Sequence, residues 1–327
     1  MTMSADEKFT PTHLLGGTDR VARLGYGAMQ LAGRGVIGLP DDVLGAIDVL
    51  HGAVEQGVQF FDTANAYGPR TVNQLIGRAL SPYSDDLVIG NKVGARRGPA
   101  GEWLTDSRPE IVRAQVEDAL LDLRAEASQL TYLRLRGDGQ APGASPGDEV
   151  PLEDALGTLV ELRDEGKVRH IGISGASPEL LERAQRLTPI AAVQNRFNLI
   201  DRSGVEVLAA CERDGIAFVP YFPLATGALG DPPALTRPAQ RLGVSTSAVA
   251  LGWLLRRSPV IVPIPGTSSL EHLTDNLRAT EVAAALTEEE VDALTAVEDE
   301  KSASLDTMST QMIDALTRRR RASASRR

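Results

Sequence analysis

Short β-rich runs alternate along this chain with amphipathic stretches of helical length, and no other feature limits its fold as tightly. The runs are VARLGYGAM (21–29), VQFFDT (58–63), DLVIGNKV (86–93), LTYLRLR (130–136), VRHIGIS (168–174), IAAVQNR (190–196), IAFVPYF (216–222) and VIVPIP (260–265). Between them lie segments such as DVLGAIDVLHGAVEQG, stopped by Gly57, and RPEIVRAQVEDALLDLRAE, with Pro109 in its first turn. Eight such units predict an α/β fold, a closed (β/α)8 TIM barrel forming one domain over residues 1–327. A short N-terminal extension and a basic tail over about 317–327 flank it. A doubly wound open sheet is the runner-up, weakened because no G-x-G-x-x-G follows an early strand. The Gly- and Pro-rich stretch RGDGQAPGASPGDEV (136–150) follows a strand directly, so it reads as a long βα loop rather than a linker.

Charge narrows the partners. A net charge of -10 repels phosphate backbones and anionic membrane surfaces, so neither nucleic acid nor membrane is expected, and a small molecule is. Cys211 is the single cysteine, which excludes an intrachain disulfide and a Cys-rich metal site and suits a reducing cytoplasm. The first residues, MTMSADEKFTPTHLL, show no apolar secretion signal, and a cytoplasmic location is expected. Arg318 to Arg321 read as a solvated terminus without assigned function. Asp41 and Asp42 read as a helix start, and no metal site is expected.

Polar residues collect at one end of the strand runs: Asp62, Lys92, Arg134, Ser174, Gln194 and Tyr221. In a barrel these ends share one rim, so residues distant in sequence meet in one pocket. Asp62 and Lys92 sit at the ends of neighbouring strands, where an ion pair is natural, and a structural salt bridge alone would account for them. Tyr67, one short loop after Asp62, adds a second reading, because a positive charge beside a phenol favours phenolate and makes a usable proton donor and acceptor. Residue types leave both readings open. Trp103 either lines a substrate pocket or covers the rim; Trp253, in ALGWLLRR, is packing.

The stretch GVQFFDTANAYGPRTVNQLIG, with its Asp-Thr-Ala, Tyr-Gly and flanking glycines, resembles the aldo-keto reductase family. DLVIGNKV, VRHIGIS, VQNRFNLIDR, VPYFPLATGALG and IPGTSSLEHLTDNL extend the resemblance from about Leu24 to Ala279, nearest to bacterial reductases of the pyridoxal-reductase-like group. The resemblance implies NADPH-dependent reduction of a carbonyl, or of a related polarised C=C or C=N bond, in a small molecule. Tyr67 would protonate oxygen, Lys92 would assist it and Asp62 would hold Lys92. Ser174 and Gln194 would grip the carboxamide of NADP, and Tyr221 would stack on its ring, with Pro223 and Leu224 on the same side. Gly266, Thr267, Ser268 and His272 would meet its phosphates and Asn276 its adenine.

The chain departs from the family's pattern at three places. The tetrad histidine usual at the end of the fourth strand is replaced by Arg134, and His13, His51, His170 and His272 lie elsewhere; His170 opens its strand and belongs at the far end of the barrel. Leu130, Tyr132 and Arg134 share a face at period two, which turns Arg134 to the pocket and leaves Arg136 in the loop. A guanidinium cannot hand over a proton near neutrality, but it can stabilise charge on oxygen or bind a substrate carboxylate or phosphate. The competing reading pairs Arg134 with a loop acid such as Asp138. Gly175 stands where asparagine is frequent, and Asn73-Gln74 where the motif has glutamate, a change that would weaken adenine binding or alter helix packing. An alternative function follows from this atypical set: an NADP-binding barrel serving redox sensing or assembly, or a non-redox elimination or cyclisation.

Overall fold

The structure, a computed structural model, describes residues 11–135 and 150–297. Asp138, Arg136, most of the long loop and the basic tail lie outside the described residues. The chain opens with an antiparallel hairpin, Thr12–Leu15 against Asp19–Ala22. Seven parallel strands follow: β1 (Tyr26–Gly27), β2 (Phe60–Asp62), β3 (Val88–Val93), β4 (Ser128–Arg134), β5 (Val168–Ser174), β6 (Ala192–Gln194) and β7 (Ala217–Phe218). They hydrogen-bond in sequence order, from β1 to β7.

Residues 260–265, the eighth predicted strand, close the ring. On one side Phe218 N donates to Val260 O and Val262 N to Phe218 O, both at 2.8 Å. On the other side Gly25 N donates to Pro263 O at 2.9 Å and Gly27 N to Pro265 O at 3.1 Å. The return bonds that would make a full ladder need N–H groups that Pro220 and Pro265 lack, so the segment is a strand in position but not in regular pairing. The result is the (β/α)8 barrel. Gly27 and Gly266 let the seam close, since a Cβ on either would stand 2.6 Å from a carbonyl oxygen of the other segment.

Between the strands run α1 (Val43–Glu55), α2 (Thr71–Leu80), α3 (Pro109–Leu123), α4 (Leu152–Asp164), α5 (Pro178–Leu187) and α6 (Val205–Asp214). After β7 come α7 (Pro233–Leu242) and α8 (Thr246–Arg257), and after the eighth segment α9 (Leu270–Leu277), α10 (Ala279–Ala285) and α11 (Glu288–Thr295). The Asp42 carboxylate caps α1 by accepting from Gly45 N at 2.8 Å, Gly57 turns the chain out of it at φ +86, and Pro109 opens α3. Trp253 is fully buried and stacks on Phe197, as its helical setting predicted. Inside the ring Phe60, Val88, Leu130, Tyr132 and Val262 pack with Leu15 and Val21 of the hairpin, which plugs the bottom. His170 bonds Asp19 of that hairpin at 3.0 Å, at the end expected for it.

Candidate active site

Ladder register sets the rim. Asp62 pairs with Gly90, Lys92 with Tyr132, Arg134 with Ser174 and Ser174 with Gln194, so the polar ends of five successive strands stand side by side. Lys92 Nζ donates to Asp62 Oδ1 at 2.5 Å and to the Thr63 carbonyl at 3.0 Å. Gln194 Nε2 donates to the other Asp62 oxygen. Burial pushes the Asp62 carboxyl up, while Lys92, Gln194 and Arg134 pull it the other way.

Tyr67 arrives on the turn after β2, with Tyr67 N donating to Ala64 O at 3.0 Å. Lys92 Nζ lies 5.2 Å from its ring centre. Lys92 is also 5.9 Å from the ring of Tyr132, but that phenol is enclosed in the barrel and burial raises its pKa far above the ordinary value, so it stays neutral. Of the two tyrosines beside the ammonium, Tyr67 borders the open cleft.

The turn is held from below by side chains. Thr63 Oγ1 donates to Asn73 Oδ1 at 2.7 Å, Asn73 Nδ2 to Asn91 Oδ1 at 3.1 Å, Asn91 Nδ2 to Asn65 Oδ1 at 2.7 Å and Asn65 Nδ2 to Gln115 O at 2.7 Å. Gln115, on α3, then bonds Gly94 N and Ala95 O. Asn73 therefore lies beneath the Tyr67 turn, in helix packing; neighbouring Gln74 reaches Asp122 across the surface of α2 and α3.

Asp62, Tyr67, Lys92, Arg134, Gln194, Tyr221, Pro223, Leu224 and Gly266 all line one cleft, up to about 700 Å³ counting its open mouth. That size suits a small-molecule site. Thr267, Ser268, His272 and Asn276 do not line it; they continue past Gly266 into α9, whose first turn is capped by Ser269. Ser174 is enclosed behind the rim. Sequence reasoning missed Gly27, Met29 and Gln30 in the lining, and reached Phe222, Thr226, Ile264 and Pro265 only as members of the longer stretches VPYFPLATGALG and IPGTSSLEHLTDNL. Gly27, Ile264 and Pro265 belong to predicted strands, yet only closure of the seam brings them to the cleft.

Trp103 is not in the lining. It belongs to a hairpin, Ala95–Arg97 against Trp103–Thr105, that the sequence reading did not foresee. Its ring meets Tyr67 edge-on at 6.2 Å, with the Arg97 and Arg134 guanidinium carbons 4.1 and 5.3 Å from its centre. It buttresses both site residues. Arg134 is 3% exposed and lies close enough to Asp62 to act on its charge. Gly175 adopts φ +79 while its N–H bonds Gln194 O at 2.9 Å, a left-handed conformation that glycine takes freely and asparagine tolerates best after it. Among the described residues there is no group of three or more His, Cys, Asp or Glu able to hold a metal, and no helix long and apolar enough to cross a membrane.

The model of the Aldo/keto reductase family matches residues 23–299. A pyridoxine 4-dehydrogenase of Escherichia coli is 44% identical over 264 residues, covering 80% of this chain and 91% of the relative. Among solved structures, a thermostable aldo-keto reductase in complex with the inhibitor epalrestat aligns with TM-score 0.74 and 28% identity, over 88% of this chain and 99% of the other. An aldo-keto reductase from Klebsiella pneumoniae in complex with NADPH aligns with TM-score 0.70 over 86% and 93% of the two chains, a likeness in fold at 22% identity.

Proposed function

The chain belongs to the aldo/keto reductase family, and from that premise we propose that it is an NADP(H)-dependent oxidoreductase acting on the carbonyl of a small molecule, with Tyr67 as proton donor. The observation that carries this reading is the convergence of Asp62, Tyr67, Lys92 and Gln194 on one cleft, with the ammonium held by the carboxylate and facing the phenol's ring.

The residues fit the cofactor. Ser174 Oγ and Gln194 Oε1 are buried polar atoms without a hydrogen-bond partner in the protein. A carboxamide offers the donor and acceptor they need, and buried polar groups are seldom left unsatisfied. Tyr221 lines the cleft with an aromatic ring that could stack on the nicotinamide, and Thr267, Ser268 and His272 with the N-terminal turn of α9 suit phosphate. Asn276 would take the adenine. A reduced nicotinamide held by these residues would supply the hydride for the carbonyl carbon.

Tyr67 gives its proton to the carbonyl oxygen. Lys92 stabilises the phenolate left behind, and Asp62 fixes Lys92 in place. Arg134 cannot serve as the acid, so its part is electrostatic: to stabilise negative charge on oxygen, or to anchor a carboxylate or phosphate of the substrate. It stands where the tetrad histidine of the resemblance would stand. The 44% identity to a pyridoxine 4-dehydrogenase makes pyridoxal the first aldehyde to test.

The test combines an NADPH titration by protein fluorescence with absorbance-monitored turnover of pyridoxal and a panel of aldehydes, ketones, enones and cyclic imines. Tyr67→Phe is expected to lower kcat about 10²- to 10⁴-fold, the usual worth of a positioned acid, with NADPH affinity kept. Arg134→Ala is expected to lower kcat or raise KM for anionic substrates above all. NADPH binding without consumption by any substrate would favour the sensing or non-redox reading; no binding at all would sink both.

A further inference from the structure

The buried amide chain under the cleft is longer than packing needs. Thr63, Asn65, Asn73 and Asn91 are all 5% exposed or less, in a layer between strands and helices where apolar side chains would serve stability. Each is instead bonded head to tail, and the chain touches the immediate neighbours of the site residues: Thr63 follows Asp62, Asn91 precedes Lys92, and Asn65 lies within the turn that delivers Tyr67. Backbone bonds double the tie, since Asn65 N donates to Lys92 O at 3.2 Å and Thr63 N to Gly90 O at 2.8 Å.

We infer that Asn73 is a positioning residue for the Tyr67 turn, acting through a directional hydrogen-bond relay from Thr63 to the Gln115 carbonyl; the inference rests on the function proposed above for the site it positions. Direction is set at the far end. Gln115 O can only accept, so Asn65 must present its NH₂ there and its oxygen to Asn91, and Asn91 must in turn present its oxygen to Asn73. Asn73 is thereby required to donate to Asn91 and to accept from Thr63, which is what an amide does and an ionised carboxylate cannot. The amide at a position where the motif has glutamate is thus matched to Asn91 and Asn65. If the three amides reversed, two oxygens would face each other at Gln115, so the relay has one satisfied arrangement, and that arrangement holds the turn relative to Lys92.

The test uses Asn73→Asp, Asn73→Leu, Thr63→Val and the double Thr63→Val/Asn73→Leu in the full-length protein. Three quantities are read: NADPH affinity, the kcat and KM for pyridoxal or the best aldehyde, and amide hydrogen exchange peptide by peptide. The expected result is a kcat about tenfold lower with KM and NADPH affinity nearly unchanged, and faster exchange confined to peptides spanning 63–70. Asn73→Asp should be the most affected, and the double variant should be no worse than its worse parent, because both break one relay. The inference is overturned if kcat and exchange at 63–70 stay as in wild type, or if exchange rises over the whole barrel and the two changes add. Hydrogen exchange reads the relay even in a protein that consumes no NADPH, so failure of the relay and failure of the proposed activity are told apart.

Discussion

Asp62 and Lys92 are each less than 5% exposed, and at that depth neither charge can be removed alone without leaving the other stranded. Lys92→Met is expected to cost about 3–5 kcal/mol of stability, seen as a lower urea midpoint. The double change Asp62→Asn/Lys92→Met should recover much of that loss while turnover stays lost, which separates the structural use of the pair from the chemical one. At this scale the sequence was legible wherever a residue's place follows from strand period: Asp62, Lys92, Arg134 and Gln194 reach the rim because each is the last or next-to-last residue of a strand. It was not legible for Trp103, whose role depends on Tyr67, Arg97 and Arg134 coming together from three separate segments. Asn73 was visible as a departure, yet its meaning needed Asn91 and Asn65 beside it.

The hairpin between β3 and α3 shows why one element escaped the sequence. Ala95–Arg97 carries two arginines and no apolar alternation, so nothing in its pattern marks a strand. What fixes it is tertiary: Asp106, with its side chain fully enclosed, takes hydrogen bonds from Arg96 and Arg108 at 2.9 Å. Burial alone would push this carboxyl up, but the bonds from Arg108 and Arg96 outweigh it and hold its pKa below the ordinary 3.8. A depressed carboxylate contributes fully above that value, and the contribution disappears as the pH falls through the lower, folded one. Asp106→Asn should therefore flatten the acid limb of a urea-midpoint profile taken from about pH 5 to about pH 3. Hydrogen exchange should show the hairpin opening before the barrel strands.

For the molecule as a whole, stability turns on the join between the first and last strands. Arg23 is buried below it, its pKa pushed down to about 10 by desolvation, and it donates to Ile261 O at 3.0 Å, Leu255 O at 2.8 Å and Ser258 O. Arg23→Met leaves these carbonyls short of a donor, at a cost of at least about 1–3 kcal/mol. The urea midpoint should fall while kcat holds, because Arg23 sits at the end of the barrel away from the cleft. The eightfold alternation announced this closed form in advance. The seam's half-ladder was hidden, since proline looks alike in sequence whether it breaks a strand or merely thins its bonding. The same seam orders events during synthesis. Gly27, Ile264, Pro265 and Gly266 all border the cleft, so its wall is assembled from the two ends of the barrel. A chain still emerging from the ribosome has most of its helices before it has a cleft. The cleft is therefore complete only after residues 260–266 have been made and have met the strand at Tyr26–Gly27.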